Sequence, residues 1–146
     1  MEKIEKTEPY RISKLTQIID EDVLQMFQLG FSEHVDDTLT IIQCPGTTEN
    51  DIIKSLNEDM GYPEFCLYLK KNRDGKKRCL QSDLDIARSI FQENLKKPSE
   101  HFCHAGLSGL TFPIVVEDQI LAVCLSGNRR DIGYAGLPEK QTQRLN

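Results

Sequence analysis

Three strand-like runs between residues 100 and 126 limit the possible folds more than any other feature of this chain. The runs cover residues 100–104, 110–116 and 120–126, and they combine period-two alternation with continuous apolar stretches. Only residues 117–119 separate the second run from the third, a link short enough for an antiparallel hairpin. The sequence therefore predicts three consecutive strands in the second half of the chain.

The first third of the chain predicts a helix followed by a strand. Residues 38–44 alternate and are β-branched, and Pro45 and Gly46 end the strand that they predict. The helix is predicted over residues 19–31, where five apolar residues recur at helical spacing and form one face: Ile19, Val23, Met26, Phe27 and Phe31. We expect this face to turn toward the interior of the protein.

Further helices are predicted between the first strand and the last three. Residues 51–57 and 64–71 suit short helices, and residues 74–75 suit a turn. From Lys76 a longer helix runs toward Pro98, which ends it. This helix carries apolar side chains on one face: Leu80, Leu84, Ala87, Phe91 and Leu95.

This order of elements predicts an α+β fold, with helices packed on one face of an antiparallel sheet and the other face available for a pocket. Sensor domains of the PAS and GAF kind have this general form. The chain of 146 residues fits a single domain, residues 1–146. A last helix, predicted from Pro138, reaches the final residue after about two turns, so we expect the chain to be a piece of a longer protein in which this helix leads to a further domain.

Charge and composition exclude several classes of partner. The formal net charge of -5 works against binding to nucleic acid or to an anionic membrane, since both require a positive field. The charged start of the chain is unlike a signal peptide, and no apolar run is long enough to span a membrane, so we expect a cytoplasmic protein. In that compartment the five cysteines are expected to be free thiols or ligands rather than disulfides.

Residues 101–114 form the most specific local pattern. Ala105, Gly106 and Gly109 allow close approach of the backbone or a positive φ, and Pro113 removes a hydrogen-bond donor from the middle of an apparent strand. An irregular strand edge would leave backbone N–H and C=O groups free to orient a hydroxyl-bearing ligand. The same residues are equally compatible with a tight connection between two strands.

The chain resembles the PocR sensory-domain family over about residues 10–130, and short motifs carry the resemblance. The central element is Cys79-Leu-Gln-Ser-Asp83, followed about twenty residues later by Cys103-His-Ala-Gly-Leu107. Other similar segments are Phe65-Cys66-Leu67, the approach from Gly75 to Cys79, Phe112-Pro-Ile114, residues 121–127 and the predicted helix over residues 19–31. The sequence differs from the family at 126–129, where Ser-Gly-Asn-Arg stands in place of the Gly-Gln expected after the last strand.

The resemblance implies a variant PAS-like domain that binds a small organic ligand, such as a short diol or glycerol. Family members lie on the N-terminal side of transcription regulators and sensor histidine kinases, and the expected role is sensory rather than enzymatic, with no cofactor. We expect the pocket between the sheet and the helix over residues 19–31. Its predicted ligand-binding residues are Phe27, Phe31, Cys66, Cys79, Cys103, His104, Ala105, Gly106 and Phe112. At Gly106 we expect the missing side chain to be pocket space.

A metal or redox sensor is the alternative function. Cys66, Cys79 and Cys103 with His101 would supply the four N or S ligands that zinc prefers. However, the chain has no Cys-x-x-Cys pair, and free cysteine often packs as a small apolar residue, so packing is the preferred interpretation.

An enzyme is the least favoured class. Cys103 and His104 would point to opposite faces of a strand, and no acid and base residues are paired in a catalytic spacing. The six basic residues within 70–78 are interpreted as a solvated surface. By analogy with other signalling input domains, the terminal helices could support a homodimer.

Overall fold

The protein is described by a computed structural model that covers Ile12 and residues 14–57, 59 and 61–129. The helix predicted from Pro138 lies outside these residues. The described elements, in chain order, are α1 (Glu21–Val35), β1 (Leu39–Gln43), α2 (Glu64–Leu69), α3 (Arg73–Glu93), β2 (Ser99–Phe102), β3 (Ser108–Val116) and β4 (Gln119–Arg129). No helix in this part of the chain is long and apolar enough to cross a membrane.

The four strands form one antiparallel sheet in the order β1-β4-β3-β2. The predicted hairpin between the last two strands is confirmed, with Val116 paired to Gln119. Its two loop residues, Glu117 and Asp118, have φ values of 50° and 67°. Two left-handed residues match the right-handed twist of the strands, which is why a two-residue link suffices.

Helices cover both faces of this sheet. Ile41 and Ile42 are adjacent on β1 and therefore point to opposite faces, yet each is at most 1% exposed. Ile41 belongs to a core cluster with Leu24 of α1, and Ile42 to a second cluster with Leu84 of α3. The prediction of an α+β fold with an antiparallel sheet is confirmed, but the helices lie on two faces rather than one.

The predicted inward face of α1 is wrong at three of its five positions, while Ile19 and Phe31 do pack against the core. Val23, Met26 and Phe27 are 54%, 67% and 60% exposed. The side of the helix that is buried contains Leu24, Gln28 and Ser32, with Phe31 packed beside it. Gln28 fixes this rotation because its side-chain amide donates a hydrogen bond of 2.9 Å to the backbone carbonyl of Leu39 on β1. The spacing of apolar residues could not reveal this rotation, because the buried side of the helix contains a polar residue.

The long helix α3 has the predicted apolar face, but its ends differ. It begins at Arg73, because the side chain of Asn72 accepts a hydrogen bond of 2.7 Å from the Gly75 N–H and caps the first turn. The turn predicted at residues 74–75 is therefore the start of the helix. It ends at Glu93, before the left-handed Asn94, rather than at Pro98.

The helix predicted over residues 51–57 is replaced by a short 3-10 turn at Glu49–Asp51. Ile52, which follows, bridges Ile42 on β1. The segment is thus extended and tied to the sheet edge.

Two helical glycines should respond in opposite ways to alanine. A Cβ at Gly75 would lie 1.8 Å from the Leu69 carbonyl oxygen, whereas a Cβ at Gly30 would meet no atom within 4 Å. We expect Gly75→Ala to lower the free energy of unfolding by about 2 kcal/mol or more, through a forced backbone shift. Gly30→Ala should raise it by about 0.5–1 kcal/mol through helix propensity. Urea unfolding of both variants tests this, and equal effects would contradict the geometry of the α2–α3 junction.

Candidate functional site

A small cavity of about 30 Å³ lies between α2, α3 and the loop that joins β2 to β3. This volume holds one or two water molecules. The cavity is lined by Tyr62, Cys66, Leu69, Lys70, Cys79, Asp83, Cys103, His104, Ala105 and Leu107. Five of the nine predicted ligand-binding residues are among them, namely Cys66, Cys79, Cys103, His104 and Ala105.

Helical spacing explains why α2 and α3 present chemistry to the same space. Cys79 and Asp83 are four residues apart on α3, so both side chains project from one face. Cys66 and Lys70 are likewise four apart at the end of α2. The two pairs line one cavity, where a positive charge, a carboxyl group and two thiols meet.

The β2–β3 loop closes the cavity as a tight turn. The Cys103 N–H donates to the Leu107 carbonyl at 2.9 Å, and the Gly106 N–H donates to the Cys103 carbonyl at the same distance. The Ala105 N–H donates to the Cys103 Sγ at 3.3 Å. Gly106 has a φ of 83°, the left-handed conformation that this turn requires.

His104 fastens this loop to α3. Its backbone N–H donates to the Ser82 Oγ at 3.1 Å, and its Nε2 lies 3.4 Å from the Cys79 Sγ. Sequence reasoning considered Cys103 as a partner of His104 and missed this thiol–imidazole pair. Cys79 and His104 are 25 positions apart, so no local spacing signals the contact.

Burial changes the pKa values of the ionisable groups that line the cavity. The Lys70 Nζ lies 3.4 Å from the centroid of the Tyr62 ring, a cation–π contact. Burial raises the pKa of Asp83 to about 6, although the Lys70 charge opposes this rise. Burial also raises the pKa of Cys66 to about 11 and raises the pKa of Cys79. Both thiols are therefore protonated at neutral pH.

Four predicted ligand-binding residues lie outside the cavity lining. Phe27 is exposed on α1, while Phe31 and Phe112 pack against the core cluster that contains Ile41. Gly106 is exposed, an added Cβ would have no atom within 4 Å, and its positive φ serves the turn. The expected position of the pocket, between the sheet and α1, thus differs from that of the cavity found at α2 and α3.

The alternative metal set does not come together. His101 lies on β2 with its ring against Gly109, its Nδ1 has no hydrogen-bond partner, and burial lowers its pKa. It does not line the cavity with the three cysteines. Across the described residues, no three His, Cys, Asp or Glu side chains are arranged to hold a metal ion.

A wider groove of about 660 Å³ opens beside the small cavity. His104 and Leu69 line both spaces, so they form the boundary between them. The basic residues of the groove, Lys71, Arg73 and Arg78, are exposed, as predicted for a solvated surface. Lys70 is the exception in this basic run because it turns into the small cavity.

The raised pKa of Asp83 predicts an unusual pH dependence of stability. The folded state binds the Asp83 proton more tightly than the unfolded state, so this group's contribution falls as the pH rises from about 4 to 6. We expect Asp83→Asn to raise the free energy of unfolding at pH 7.5, by up to about 3 kcal/mol, with a smaller gain at pH 4. Chemical denaturation at several pH values measures the difference from the wild type.

Glu93→Gln, at an exposed carboxylate on the same helix, is the matched control and should show little change. A loss of stability in Asp83→Asn at pH 7.5 would contradict the assignment of a destabilising, partly buried carboxylate.

Comparison with known proteins identifies the family. A search of curated proteins and a search of solved structures each gave no match. The family model described as the sensory domain found in PocR matches residues 17–139. Within that range, the motifs at 79–83 and 103–107 supply both sides of the cavity. With the match spanning most of its length, this chain belongs to the family of sensory domains found in PocR.

Proposed function

We propose that this sensory domain binds a short polyol, a diol or glycerol, in the cavity between α2, α3 and the β2–β3 loop, and acts without catalysis. The observation that carries the proposal is the meeting of Lys70, Asp83 and His104 with the apolar side chains of Leu69 and Leu107. Hydroxyl groups both donate and accept hydrogen bonds, so a site with an ammonium donor and a carboxyl acceptor suits them. The apolar side chains suit the carbon backbone of such a ligand.

The small size of the cavity means that binding requires movement. A volume of 30 Å³ is roughly one tenth of the about 300 Å³ at the lower end of ligand pockets. The β2–β3 loop is the element suited to move, because His104 joins it to α3 through one backbone hydrogen bond and one thiol contact. The ligand then selects an open arrangement, and its differential affinity for the two states is the signal.

The proposed output of the sensor rests on the family to which the chain belongs. Occupancy of the site would control a transcription regulator or a histidine kinase that follows the sensory domain. A homodimer would provide the symmetric input that such outputs use.

A redox sensor is the second candidate function, since three thiols line one cavity. The raised pKa values of Cys66 and Cys79, which result from burial, weigh against it because thiolates are the oxidisable form. Thiol counting before and after mild peroxide treatment separates the two functions. Loss of two thiols without any response to polyols would favour the redox sensor.

A polyol panel should raise the Tm of the domain. At a ligand concentration of 100 Kd, binding adds about 2.7 kcal/mol, or about 5–10 °C for a domain of this size. Asp83→Ala should abolish the shift because it removes the acceptor, whereas Phe27→Ala, on the exposed face of α1, should retain it. A shift that survives Asp83→Ala but disappears in Phe27→Ala would move the site to α1. Shifts below about 1 °C with every polyol would refute the proposal.

Gly106→Ala separates the two roles considered for this residue. The φ of 83° and the open space around the Cα predict a loss of stability of about 1 kcal/mol with unchanged polyol affinity. Calorimetric titration of the folded variant gives the affinity directly. Weakening of tenfold or more, about 1.4 kcal/mol, would instead restore the sequence-based expectation that Gly106 provides pocket space.

A further inference from the structure

Cys79 and His104 form a thiol–imidazole contact that recognition of a hydroxyl group does not require. The 3.4 Å separation of Sγ and Nε2 is a hydrogen-bond distance for sulfur. Cys79 lines the small cavity, and His104 lines both that cavity and the wider groove. A small molecule that enters from the groove therefore meets the imidazole and the thiol together.

Cys79 and His104 together have the components of a nucleophile that is activated by a neighbouring base. The Cys79 thiol is protonated, because burial raises its pKa, so it becomes nucleophilic only if a base removes its proton during attack. The His104 Nε2 is placed to accept that proton. The Lys70 ammonium lines the same cavity and is close enough to lower the pKa of the thiol in part, so it also favours negative charge that develops nearby.

We propose that Cys79 captures small aldehydes as a reversible hemithioacetal, with His104 as the proton carrier. The Cys79 Sγ forms a bond to the carbonyl carbon as the carbon–oxygen π bond breaks. The thiol proton passes to the His104 Nε2 and then to the former carbonyl oxygen, which becomes a hydroxyl group. No electron is gained or lost overall, and the reverse steps release the aldehyde. This inference adds a covalent ligand class to the proposed polyol site and does not depend on polyol binding.

The surroundings favour an aldehyde over other electrophiles and Cys79 over other nucleophiles. Disulfide formation would require an oxidant, whereas addition to a carbonyl needs no further reactant. Cys103 already accepts the Ala105 N–H, and Cys66 is buried. Burial lowers the pKa of the Lys70 amine, but contact with Tyr62 and the nearby Asp83 more than offset this and raise the pKa overall, so the amine is protonated. The narrow cavity restricts the aldehyde to a short chain.

Acetaldehyde labelled with ¹³C at the carbonyl tests the proposal by NMR of the folded protein. We expect a new tetrahedral carbon resonance, distinct from the aldehyde hydrate, that disappears on dilution. Cys79→Ser should remove it, while Cys44→Ser, at a half-buried thiol outside the cavity, should retain it. His104→Gln should retain the resonance but slow its exchange with free acetaldehyde by about 100-fold, the lower end of acid–base assistance.

The NMR results either support or overturn capture of the aldehyde by Cys79. A resonance that persists in Cys79→Ser, or none in the wild type, overturns the proposal, and unchanged exchange in His104→Gln removes the role of the imidazole. If Cys79→Ser does not fold, the presence or absence of the adduct resonance is measured in Cys79→Ala instead. The rate of exchange with free acetaldehyde in His104→Gln then gives the second measurement. A polyol shift without the adduct refutes only the covalent step, and an adduct without a polyol shift refutes only the polyol proposal.

Discussion

The close approach of Gly75 to the Leu69 carbonyl is the contact on which the site depends. It lets α3 begin directly after α2, with Asn72 as its N-cap, and so sets the angle between the two helices. Any side chain at this position would separate them. Because Lys70 comes from the end of one helix and Asp83 from the other, the lining of the cavity depends on this junction. A glycine that lies outside the cavity lining thus influences the geometry of the cavity.

The sequence predicted the sheet better than the site. Period-two alternation identified β3 and β4, and the short link between them left only a hairpin, so this part of the fold followed from local rules. The cysteines at 66, 79 and 103 were also predicted as one constellation, and the fold brings them to one cavity. Their convergence could be expected from motifs, but the position of the cavity could not.

Two features were inaccessible to sequence reasoning for physical reasons. The rotation of α1 depends on a hydrogen bond from Gln28 to Leu39, and a buried polar residue whose amide donates to a backbone carbonyl looks like a surface residue in a pattern of apolar spacing. Lys70 and Asp83 were overlooked because one stands in a run of solvated basic residues and the other within a motif valued for its cysteine. Only tertiary packing shows that both turn inward.

The partly buried carboxyl group of Asp83 connects stability with sensing. Keeping it ionised inside the closed cavity destabilises the folded protein at neutral pH, and that penalty decreases wherever water or hydroxyl groups reach the carboxylate. In the proposed sensor, opening of the β2–β3 loop provides such access, so part of the work of opening is offset by solvation of Asp83. When less free energy is needed to populate the binding-competent open state, the apparent affinity of the domain for its ligand rises. The charge that makes the closed form less stable is therefore also what makes a closed cavity usable as a binding site.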